Sequence, residues 1–415
     1  MRIGVVGLGY VGLPLCVEFA EAGHDVIGVD TEPRRVAAIQ NQESYVEDIS
    51  SDRLRAVDGR LSASTRYTEL AQADAIVIAV PTPLTRNREP DLGPLLSSGR
   101  SLAGVLRAGQ LIVLESTTYP GTTREQLIPL LEESGLAAGR DFNVAFSPER
   151  VDPGRTDYTM RNTPKVVGGF TEACRDRAVE LYADICDELV PVTTLESAEM
   201  TKLLENIFRS VNIALVNELA IISDRMGIDI WEVVDAAATK PYGFMRFEPG
   251  PGMGGHCLPV DPFYLAWRAR EFDSSTEFVE HAGDVNQRMP YFCFERITRA
   301  LNDHSKSIRG SRIAIVGVSY KAGVGDLREA PALKIMRILG EHGAELSYCD
   351  EHVAELPDFG LATQPLDEIL PESDCAVIVT AHPTLDVEKL VREAPLVVDF
   401  RGATRGIKAD NLVRL

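Results

Sequence analysis

The sequence predicts an α/β protein with two doubly wound sheets, joined by a central helical region that contains a long buried helix. Three observations lead to this fold class. Strand-like runs alternate with helical patterns over residues 1–195, an apolar helix follows, and the alternation restarts near residue 309. Such alternation is typical of parallel sheets that are covered by helices on both faces.

The first region is defined by five short strand-like runs with helical patterns between most of them. These runs cover residues 2–7, 25–30, 75–80, 111–115 and 143–146. A helix is then predicted over residues 197–226, with apolar side chains on nearly all sides. A helix this apolar is expected to be buried, either between domains or against a second copy of the chain.

More helix is predicted to about residue 302, interrupted by a Gly/Pro-rich segment at 247–259. The second α/β region has strand-like runs at 312–318, 345–349, 375–380 and 396–400, and a helical pattern at 331–342. A chain of 415 residues is too long for one compact core. We therefore predict three domains, at 1–195, 196–304 and 305–415.

Composition excludes several classes of partner. The net charge of −20 argues against binding nucleic acid through a broad basic face. No apolar run approaches the length that crosses a bilayer, so no membrane partner is expected. The seven cysteines are scattered and show no metal-ligand spacing, so we predict no metal site and a reducing, cytoplasmic location. The chain opens directly on a strand pattern without a signal peptide, in agreement with that location.

A glycine motif indicates a dinucleotide site. Gly7, Gly9 and Gly12 follow the first strand and open a helix, with Tyr10 and Val11 between them. The first glycine makes the turn, the second admits a pyrophosphate and the third lets helix and strand pack closely. Asp30 ends the second strand, where a carboxylate binds ribose hydroxyls and repels a 2′-phosphate. This context predicts a Rossmann-like domain and the cofactor NAD.

The segment 252–261 places Cys257 directly behind a glycine-rich loop, with Asp261 four residues further on. A thiol there can attack a substrate that is bound in the loop, and the aspartate can steer a proton. The alternative is a turn around a buried structural cysteine. His256 is either a general base or a residue that shapes the loop.

Other polar residues stand where ligands are expected. Glu199, Lys202 and Asn206 have the spacing of one helix face, and unpaired burial among so many apolar residues would be costly. The alternative is an exposed stripe at the helix start. Thr82, Thr118 and Glu149 follow predicted strands, at the edge where open α/β sheets bind ligands. Turn formation, helix capping or a surface ion pair would explain them equally well.

Several motifs together resemble the nucleotide-sugar 6-dehydrogenase family, which includes the UDP-glucose and GDP-mannose dehydrogenases. The resemblance covers essentially the whole chain. Its motifs are GLGYVGLP at 7–14, VPTPL at 80–84, ESTTYPGTT at 115–123, SPERVDPG at 147–154, EMTKLLEN at 199–206, GMGGHCLPVDP at 252–262 and SYKAGVGDLRE at 319–329. The runs at 239–245 and 255–265 look most like the branch that acts on UDP-N-acetylglucosamine.

The resemblance implies oxidation of a sugar C6 alcohol to a carboxylate with two NAD+ in sequence. A base near Lys202, Asn206, Thr118 and Asp261 would take the hydroxyl proton through a water. Cys257 would then form a thiohemiacetal and, after the second oxidation, a thioester. Water activated by Glu149, or by Asp261 with Thr118, would release the uronic acid, for example for polysaccharide biosynthesis.

The resemblance also assigns residues to each role. The catalytic set is Cys257, Lys202, Asn206, Asp261, Glu149 and Thr118. The NAD set adds Asp30, Arg35, Thr82, Thr118 and Arg328 to the glycine motif. The UDP-sugar set is Glu149, Arg150, Lys202, Asn206, Arg246, Phe247, Gly250, Gly254, Lys321 and Arg401. The family pattern further implies a homodimer or a higher homo-oligomer that uses the apolar middle helix.

Three alternatives remain open. UDP-glucose or UDP-N-acetylmannosamine could be the substrate of the same chemistry. A two-electron dehydrogenase of the 6-phosphogluconate or 3-hydroxyacyl type shares the N-terminal pattern but has no use for Cys257 or a second nucleotide-type domain. A non-catalytic NAD-sensing protein would not need the set Lys202, Asn206, Cys257 and Asp261. The three classes of protein would yield two, one and no NADH per sugar.

Overall fold

The computed structural model describes residues 1–46, 48–85, 87, 89–151, 157–255 and 258–415. These residues form two compact units. The first unit contains residues 1–205 and 263–275, and the second contains residues 206–262 and 276–415. The boundaries of the three predicted domains remain a prediction.

The first unit is built on one eight-stranded sheet. Its strands are β1 Arg2–Val6, β2 Asp25–Val29, β3 Leu61–Ser64, β4 Ala75–Ile78, β5 Leu111–Leu114, β6 Asn143–Phe146, β7 Lys165–Gly169 and β8 Leu189–Val192. Their order is β3-β2-β1-β4-β5-β6-β7-β8, and all neighbours are parallel except β6 and β7. The sequence analysis missed β3, β7 and β8, because their short runs contain Ser, Gly or Pro in place of continuous apolar residues.

Six helices flank this sheet. They are α1 Gly12–Glu21, α2 Pro33–Gln40, α3 Ser51–Ala56, α4 Gly93–Ala103, α5 Ile128–Glu132 and α6 Glu172–Tyr182. A π-helical turn at Thr123–Leu127 leads into α5. Alternate strand residues face two separate cores, so Val5 and Val77 pack on one face while Val6 and Ile76 pack on the other. Burial on both faces is typical of a doubly wound parallel sheet.

The central helices are α7 Leu195–Met226, α8 Ile230–Ala238, α9 Asp261–Arg270 and α10 Glu277–Asp303. One side of α7 is buried, as Leu203, Ala214 and Ala220 show. The other side keeps apolar side chains that are between 38% and 66% exposed in the single chain: Met200, Leu204, Phe208, Leu215, Leu219, Ile222 and Met226. We call these seven residues the α7 stripe.

The second unit contains a five-stranded parallel sheet. Its strands are β9 Arg312–Val316, β10 Glu345–Cys349, β13 Cys375–Ile378, β14 Val397–Asp399 and β15 Leu412–Arg414, in the order β10-β9-β13-β14-β15. The short strands β11 Glu355–Leu356 and β12 Leu361–Ala362 pair with each other, and the helices are α11 Pro331–Glu341, α12 Leu366–Ile369 and α13 Val387–Glu393. The predicted fold class, with two Rossmann-like sheets and a long central helix, is confirmed.

The strand register aligns the ligand-binding edge of the first sheet. Val6 pairs with Val29 on one side and with Ile78 on the other. Gly7, Asp30 and the loop after Ile78 therefore leave the sheet side by side, at the carboxyl ends of their strands. Within the described ranges, no helix has the combined length and apolarity that a membrane crossing requires.

Candidate active site

The glycine loop of the first unit has the geometry that a dinucleotide requires. Gly7 has φ +93°, a backbone conformation that favours glycine. A Cβ on Gly12 would lie 1.8 Å from the Gly7 carbonyl oxygen, so α1 approaches β1 too closely for any side chain there. A Cβ on Gly9, in contrast, would meet no atom within 4 Å. The space in front of Gly9 is thus open to a ligand, beside the N-terminus of α1.

Asp30 is buried at the end of β2 and is held by the loop. Its Oδ2 accepts the Leu8 N–H at 2.7 Å, and its Oδ1 accepts the Glu32 N–H at 2.8 Å. Arg35 is paired with the same carboxylate, with Nη1 at 3.1 Å from Oδ2. Tyr45, which the sequence analysis did not single out, donates its hydroxyl to the Leu8 carbonyl. An oriented carboxylate at this strand end, together with the open space at Gly9, fits NAD.

The loops after β4 and β5 lie at the same edge of the sheet as the glycine loop. The Thr82 hydroxyl donates to the Thr117 carbonyl at 2.7 Å, so the two loops are fastened together. The buried hydroxyl of Tyr264, on α9, donates to the Thr82 carbonyl at 2.9 Å. Thr118 is 1% exposed, and its Oγ1 has no hydrogen-bond partner among the described residues. A buried hydroxyl without a protein partner is available to a ligand or water.

Glu149 lies in a buried charge cluster of the first unit. Its Oε1 accepts the N–H groups of Arg150 and Val151, which fixes the direction of the side chain. The Lys165 ammonium is 3.7 Å from Glu149 Oε2 and 3.1 Å from Glu115 Oε1. The sequence analysis missed Lys165 and Glu115, although a lysine at the start of the otherwise apolar run KVVGG was a signal.

Arg150 was predicted to bind substrate. In the structure its guanidinium pairs with Glu205 at 2.6 Å and donates to the Pro164 carbonyl. These contacts place it against α7 within the first unit.

Glu199, Lys202 and Asn206 prove to have different surroundings. Glu199 is fully buried and accepts three hydrogen bonds, from the Gly121 N–H and from the N–H and hydroxyl of Thr123. Burial raises the pKa of the Glu199 carboxyl to about 7 in spite of these donors. Glu199 therefore caps the helical segment that starts at Thr123, a structural role that its spacing on α7 did not reveal. Lys202 is half-buried, in the part of α7 that belongs to the first unit.

In the second unit, the Asn206 side-chain amide donates to the Asp261 carboxylate. Both side chains are buried, at 8% and 2% exposed. Asp261 is the first residue of α9, directly after the cysteine loop. Cys257 and His256 themselves lie outside the described residues. The structure thus joins two of the predicted catalytic residues by one hydrogen bond.

The glycine-rich loop before Cys257 is held by buried amides. The Gly250 N–H donates to Asn217 Oδ1, and the Asn217 amide donates to Asn286 Oδ1, both at 2.9 Å. Arg401 Nη1 lies 2.9 Å from the place that a Cβ on Gly250 would occupy. A Cβ on Gly254 would lie 2.7 Å from the Tyr320 Cβ. Asn217 and Asn286 fix this loop, and the sequence analysis missed both.

The remaining predicted substrate residues of the second unit have local partners. Arg246 pairs with Asp235 at 2.6 Å and also with Glu248, and the Phe247 ring packs edge-on against Phe208. Lys321 is half-buried.

Arg328 was predicted to bind NAD and lies in the second unit, where its guanidinium pairs with Asp326 at 2.5 Å. The predicted site residues therefore divide between the two units. The first unit contains Gly7, Gly9, Tyr10, Val11, Gly12, Asp30, Arg35, Thr82, Thr118, Glu149, Arg150 and Lys202. The second contains Asn206, Arg246, Phe247, Gly250, Gly254, Asp261, Lys321, Arg328 and Arg401.

One group of side chains has the proximity of metal ligands. The ligand atoms of Glu351, His352 and His382 lie within 4.8 Å of one another. His382 Nδ1, however, accepts the Gly323 N–H, and its Nε2 is 3.0 Å from Asp350 Oδ2. Both ring nitrogens of His382 are therefore hydrogen-bonded within the protein, and Nε2 holds the Asp350 carboxylate. We call this His382–Asp350 pair the histidine clamp.

Three domain models of one family match the chain in order. The NAD binding domain of the UDP-glucose/GDP-mannose dehydrogenase family matches residues 1–186, its central domain matches 196–288, and its UDP binding domain matches 314–406. The chain belongs to the UDP-glucose/GDP-mannose dehydrogenase family. It is thus an NAD-dependent nucleotide-sugar dehydrogenase, and the predicted family and cofactor are confirmed.

Relatives in this family carry several substrate names, and two of them belong to relatives at about the same identity. The chain is 35% identical over 428 residues to the UDP-N-acetyl-D-mannosamine dehydrogenase of Pyrococcus horikoshii, with 98% of this chain and 100% of that protein covered. It is also 35% identical to the UDP-N-acetyl-D-glucosamine 6-dehydrogenase of Pseudomonas aeruginosa, with 85% and 83% covered. A solved structure of the UDP-D-ManNAc dehydrogenase from P. horikoshii has a TM-score of 0.91 at 33% identity and covers 100% of this chain and 99% of that one.

Proposed function

We propose that this chain oxidises the C6 hydroxyl of a UDP-2-acetamido-hexose to the uronic acid, with UDP-N-acetylglucosamine as the first candidate. One observation carries the mechanism: the hydrogen bond between the buried Asn206 amide and the Asp261 carboxylate. Buried polar groups of this kind are positioned to hold a water and a proton beside a reacting alcohol. The family motif that contains Asp261 also contains Cys257.

The proposed chemistry is balanced in two oxidations and one hydrolysis. NAD+, bound twice in succession, supplies the hydride acceptor for each oxidation. The C6 alcohol first loses its hydroxyl proton to a base and becomes an aldehyde. The Cys257 thiolate adds to that aldehyde and forms a thiohemiacetal, which the second oxidation converts into a thioester. Water then cleaves the C–S bond, giving the acid and the free thiol.

Each group of residues has its own role in this proposal. Asp261, held by Asn206, and the buried Thr118 hydroxyl orient the water that removes the first proton. Lys202 and Asn206 stabilise the thiohemiacetal oxyanion, as a cation and an amide donor. Glu149 activates the water that hydrolyses the thioester. Arg246, Phe247, Gly250, Gly254, Lys321 and Arg401 bind the UDP-sugar, and the glycine loop with Asp30 binds NAD.

Two observations favour different sugars. The sequence runs at 239–245 and 255–265 favour UDP-N-acetylglucosamine. The more complete coverage of the P. horikoshii relative favours UDP-N-acetylmannosamine as the second candidate. These two sugars differ only in the configuration at C2, and UDP-glucose has a hydroxyl there in place of the acetamido group. Activity with all three UDP-sugars therefore decides among them.

The decisive experiment follows NADH absorbance with each UDP-sugar, for the wild type and for Cys257→Ser. We expect two NADH per sugar from the wild type. The serine variant should lose at least about 100-fold in the second oxidation, because a serine hydroxyl is a much poorer nucleophile than a thiolate at neutral pH. Intact-protein mass should show an acyl adduct in the wild type only.

Cys349→Ser is the matched control. Cys349 is the one described cysteine that is not fully buried, and it lies in β10. It should keep the parental NADH yield. A Cys257→Ser variant that makes the acid at the parental rate would refute the covalent role, and one NADH per sugar from the wild type would refute the four-electron reaction.

The α7 stripe supports a homodimer as the functional state. Its seven apolar side chains recur at helical spacing along one face, so a second copy of the helix can cover them. Leu215→Glu should halve the mass that light scattering measures, since an interfacial charge is costly. Val190→Glu, on the exposed edge strand β8, is the matched control and should leave the mass unchanged.

A further inference from the structure

The structure contains a buried cation between two carboxylates. Lys165 begins β7 and is 4% exposed, Glu115 directly follows β5 and is 2% exposed, and Glu149 follows β6. We propose that Lys165 and Glu115 are positioning residues that set, with opposite sign, the pH at which Glu149 becomes active as a base. This inference rests on the role of Glu149 in the proposed function.

The geometry isolates one oxygen of Glu149 for this purpose. Oε1 is occupied by the backbone N–H groups of Arg150 and Val151, at 2.8 and 2.6 Å. Oε2 is buried, has no hydrogen-bond partner among the described residues, and lies 3.7 Å from the Lys165 ammonium. The Lys165 charge therefore acts on the free oxygen across a gap rather than through a direct hydrogen bond. An oxygen in that position remains available to a water.

Glu115 competes for the same cation. Its Oε1 is 3.1 Å from the Lys165 ammonium and accepts the Tyr182 hydroxyl at 2.5 Å, while its Oε2 has no partner among the described residues. Burial raises the pKa of the Glu115 carboxyl, although Lys165 opposes that shift. Burial would lower the pKa of Lys165, but the two carboxylates hold it above its ordinary value. Two carboxylates thus share one buried positive charge.

The other charged or titratable groups that face this cluster do not balance it. The Tyr182 ring lies under the Lys165 ammonium, 4.7 Å from it, and burial with the neighbouring Glu115 raises the pKa of its hydroxyl. Cys186 is a further neighbour, and burial raises the pKa of its thiol to about 11, so that both groups are neutral at physiological pH. Glu18 acts on Cys186 from α1. Arg150 turns its guanidinium to Glu205.

Simple electrostatics predicts the direction in which the pH dependence shifts when either charge is removed. A neighbouring ammonium favours the ionised form of a carboxyl group, and a neighbouring carboxylate disfavours it. Removal of the ammonium should move the acid limb of thioester hydrolysis to higher pH, and removal of the Glu115 charge should move it to lower pH. A purely structural role would not reverse direction between the two substitutions.

The experiment compares Lys165→Met with Glu115→Gln. Glutamine keeps an oxygen for the Tyr182 hydroxyl and removes only the charge. We expect the acid limb of acyl-enzyme hydrolysis, measured by quenched single turnovers and intact mass, to rise by about one pH unit in Lys165→Met and to fall in Glu115→Gln. At a fixed pH on that limb, a shift of one unit is a tenfold change in rate. KM for the UDP-sugar should stay within about twofold, and Lys165→Arg should restore the wild-type limb.

A second readout does not depend on turnover. The ¹³C signal of the Glu149 carboxyl, assigned by its loss in Glu149→Gln, should show the same opposite shifts of titration midpoint in the free enzyme. If Lys165→Met is not recovered folded, Glu115→Gln and Lys165→Arg still test the inference, because the first should lower the midpoint and the second should leave it unchanged. Unmoved or same-direction midpoints in the two variants would overturn the inference. A different result would separate the two proposals. If the titration midpoints shift in opposite directions but Glu149→Gln keeps the acid limb of hydrolysis, the inference on Lys165 and Glu115 is supported and the role of Glu149 in the proposed reaction is refuted.

Discussion

The glycine loop after β1 and the loop after β9 share one backbone framework. The Leu8 N–H donates to Asp30 Oδ2 at 2.7 Å, and the Val318 N–H donates to Asp350 Oδ2 at the same distance. Gly7 and Gly317 both have positive φ, at +93° and +76°. The two strand starts also match, because the N–H groups of Arg2 and Arg312 donate to Asp74 and Asp374, both at 2.8 Å.

The two loops differ in the residues after the shared glycine. The first continues with Gly9 and Gly12, and α1 begins at once, so that its N-terminus lies at the strand end. The second has Ser319 and Ala322 at the corresponding positions, and α11 begins only at Pro331. One framework thus has helix amides at its strand end, and the other has a longer loop with Lys321 and Arg328. The shared hydrogen bonds position the strand ends, and the glycines of the first loop leave space for a ligand to approach the backbone there.

The largest effect is expected from replacing Gly12 by alanine, the residue that the second loop has at the corresponding position, Ala322. Gly12→Ala places a Cβ 1.8 Å from the Gly7 carbonyl oxygen, so α1 must move away from β1. We expect a loss of about 3 kcal/mol or more in the free energy of unfolding, measured by urea titration, together with loss of NAD binding.

The reciprocal substitution Ala322→Gly is the control for this comparison. Ala322 is exposed, so the change should cost less than about 1 kcal/mol. Similar losses at the two positions would contradict the claim that only the first loop requires close packing.

A smaller effect is expected from Asp350→Asn, which tests the histidine clamp. Burial would raise the pKa of Asp350, but hydrogen bonds from His382 and from the N–H groups of Val318 and His352 hold it below its ordinary value. The ionised carboxylate therefore stabilises the fold at neutral pH, and that stabilisation is lost as pH falls through the lowered pKa. Asparagine offers one acceptor oxygen where these donors need two, so about 2 kcal/mol should be lost at pH 7.

The difference between Asp350→Asn and the wild type should shrink below about pH 4, when denaturant titrations are repeated in acid. Asp30→Asn is the matched variant in the first loop, where no histidine contacts the carboxylate among the described residues. It should cost less. An equal loss at the two positions, or a pH-independent difference, would show that His382 adds nothing.

The elements that the sequence predicted well are those with strong local patterns. The apolar runs of β1, β4, β5 and β9 and the glycine motif needed no tertiary information. The strand β7 was missed because its short run starts with Lys165 and ends in two glycines, and its pairing with β6 depends on distant residues. Local propensity carries no record of such partners.

The site shows the same division. The sequence identified Asn206 and Asp261, and the structure joins them by a hydrogen bond. It offered no reason to link Glu149 with Lys165, or Gly250 with Asn217, because those contacts join separate elements. It also grouped Glu199 with Lys202 by helical spacing, whereas the neighbouring Thr123 turns Glu199 into a cap. Residue type therefore indicated which side chains can take part in chemistry, whereas their contacts in the folded chain determine which role each one has.

The sharpest test of the two loops exchanges one residue with little effect on stability. Ser319 is 1% exposed, and its hydroxyl donates to the Lys321 carbonyl, so its side chain fills the place that Gly9 leaves open. Gly9→Ser should weaken NAD binding at least about tenfold, or about 1.4 kcal/mol, since the side chain occupies the approach to the phosphates. The melting temperature without ligand should hardly change, because nothing lies within 4 Å of that Cβ.

Calorimetric titration with NAD and with UDP, on Gly9→Ser and on Ser319→Gly, completes this exchange. UDP binding should be unchanged in Gly9→Ser, since the first loop does not serve it in the proposed function. Ser319→Gly should not gain NAD binding, because α11 begins too far along the chain to offer its N-terminus. A gain of NAD binding there would mean that the glycine alone, rather than the glycine with an adjacent helix start, determines which nucleotide a loop accepts.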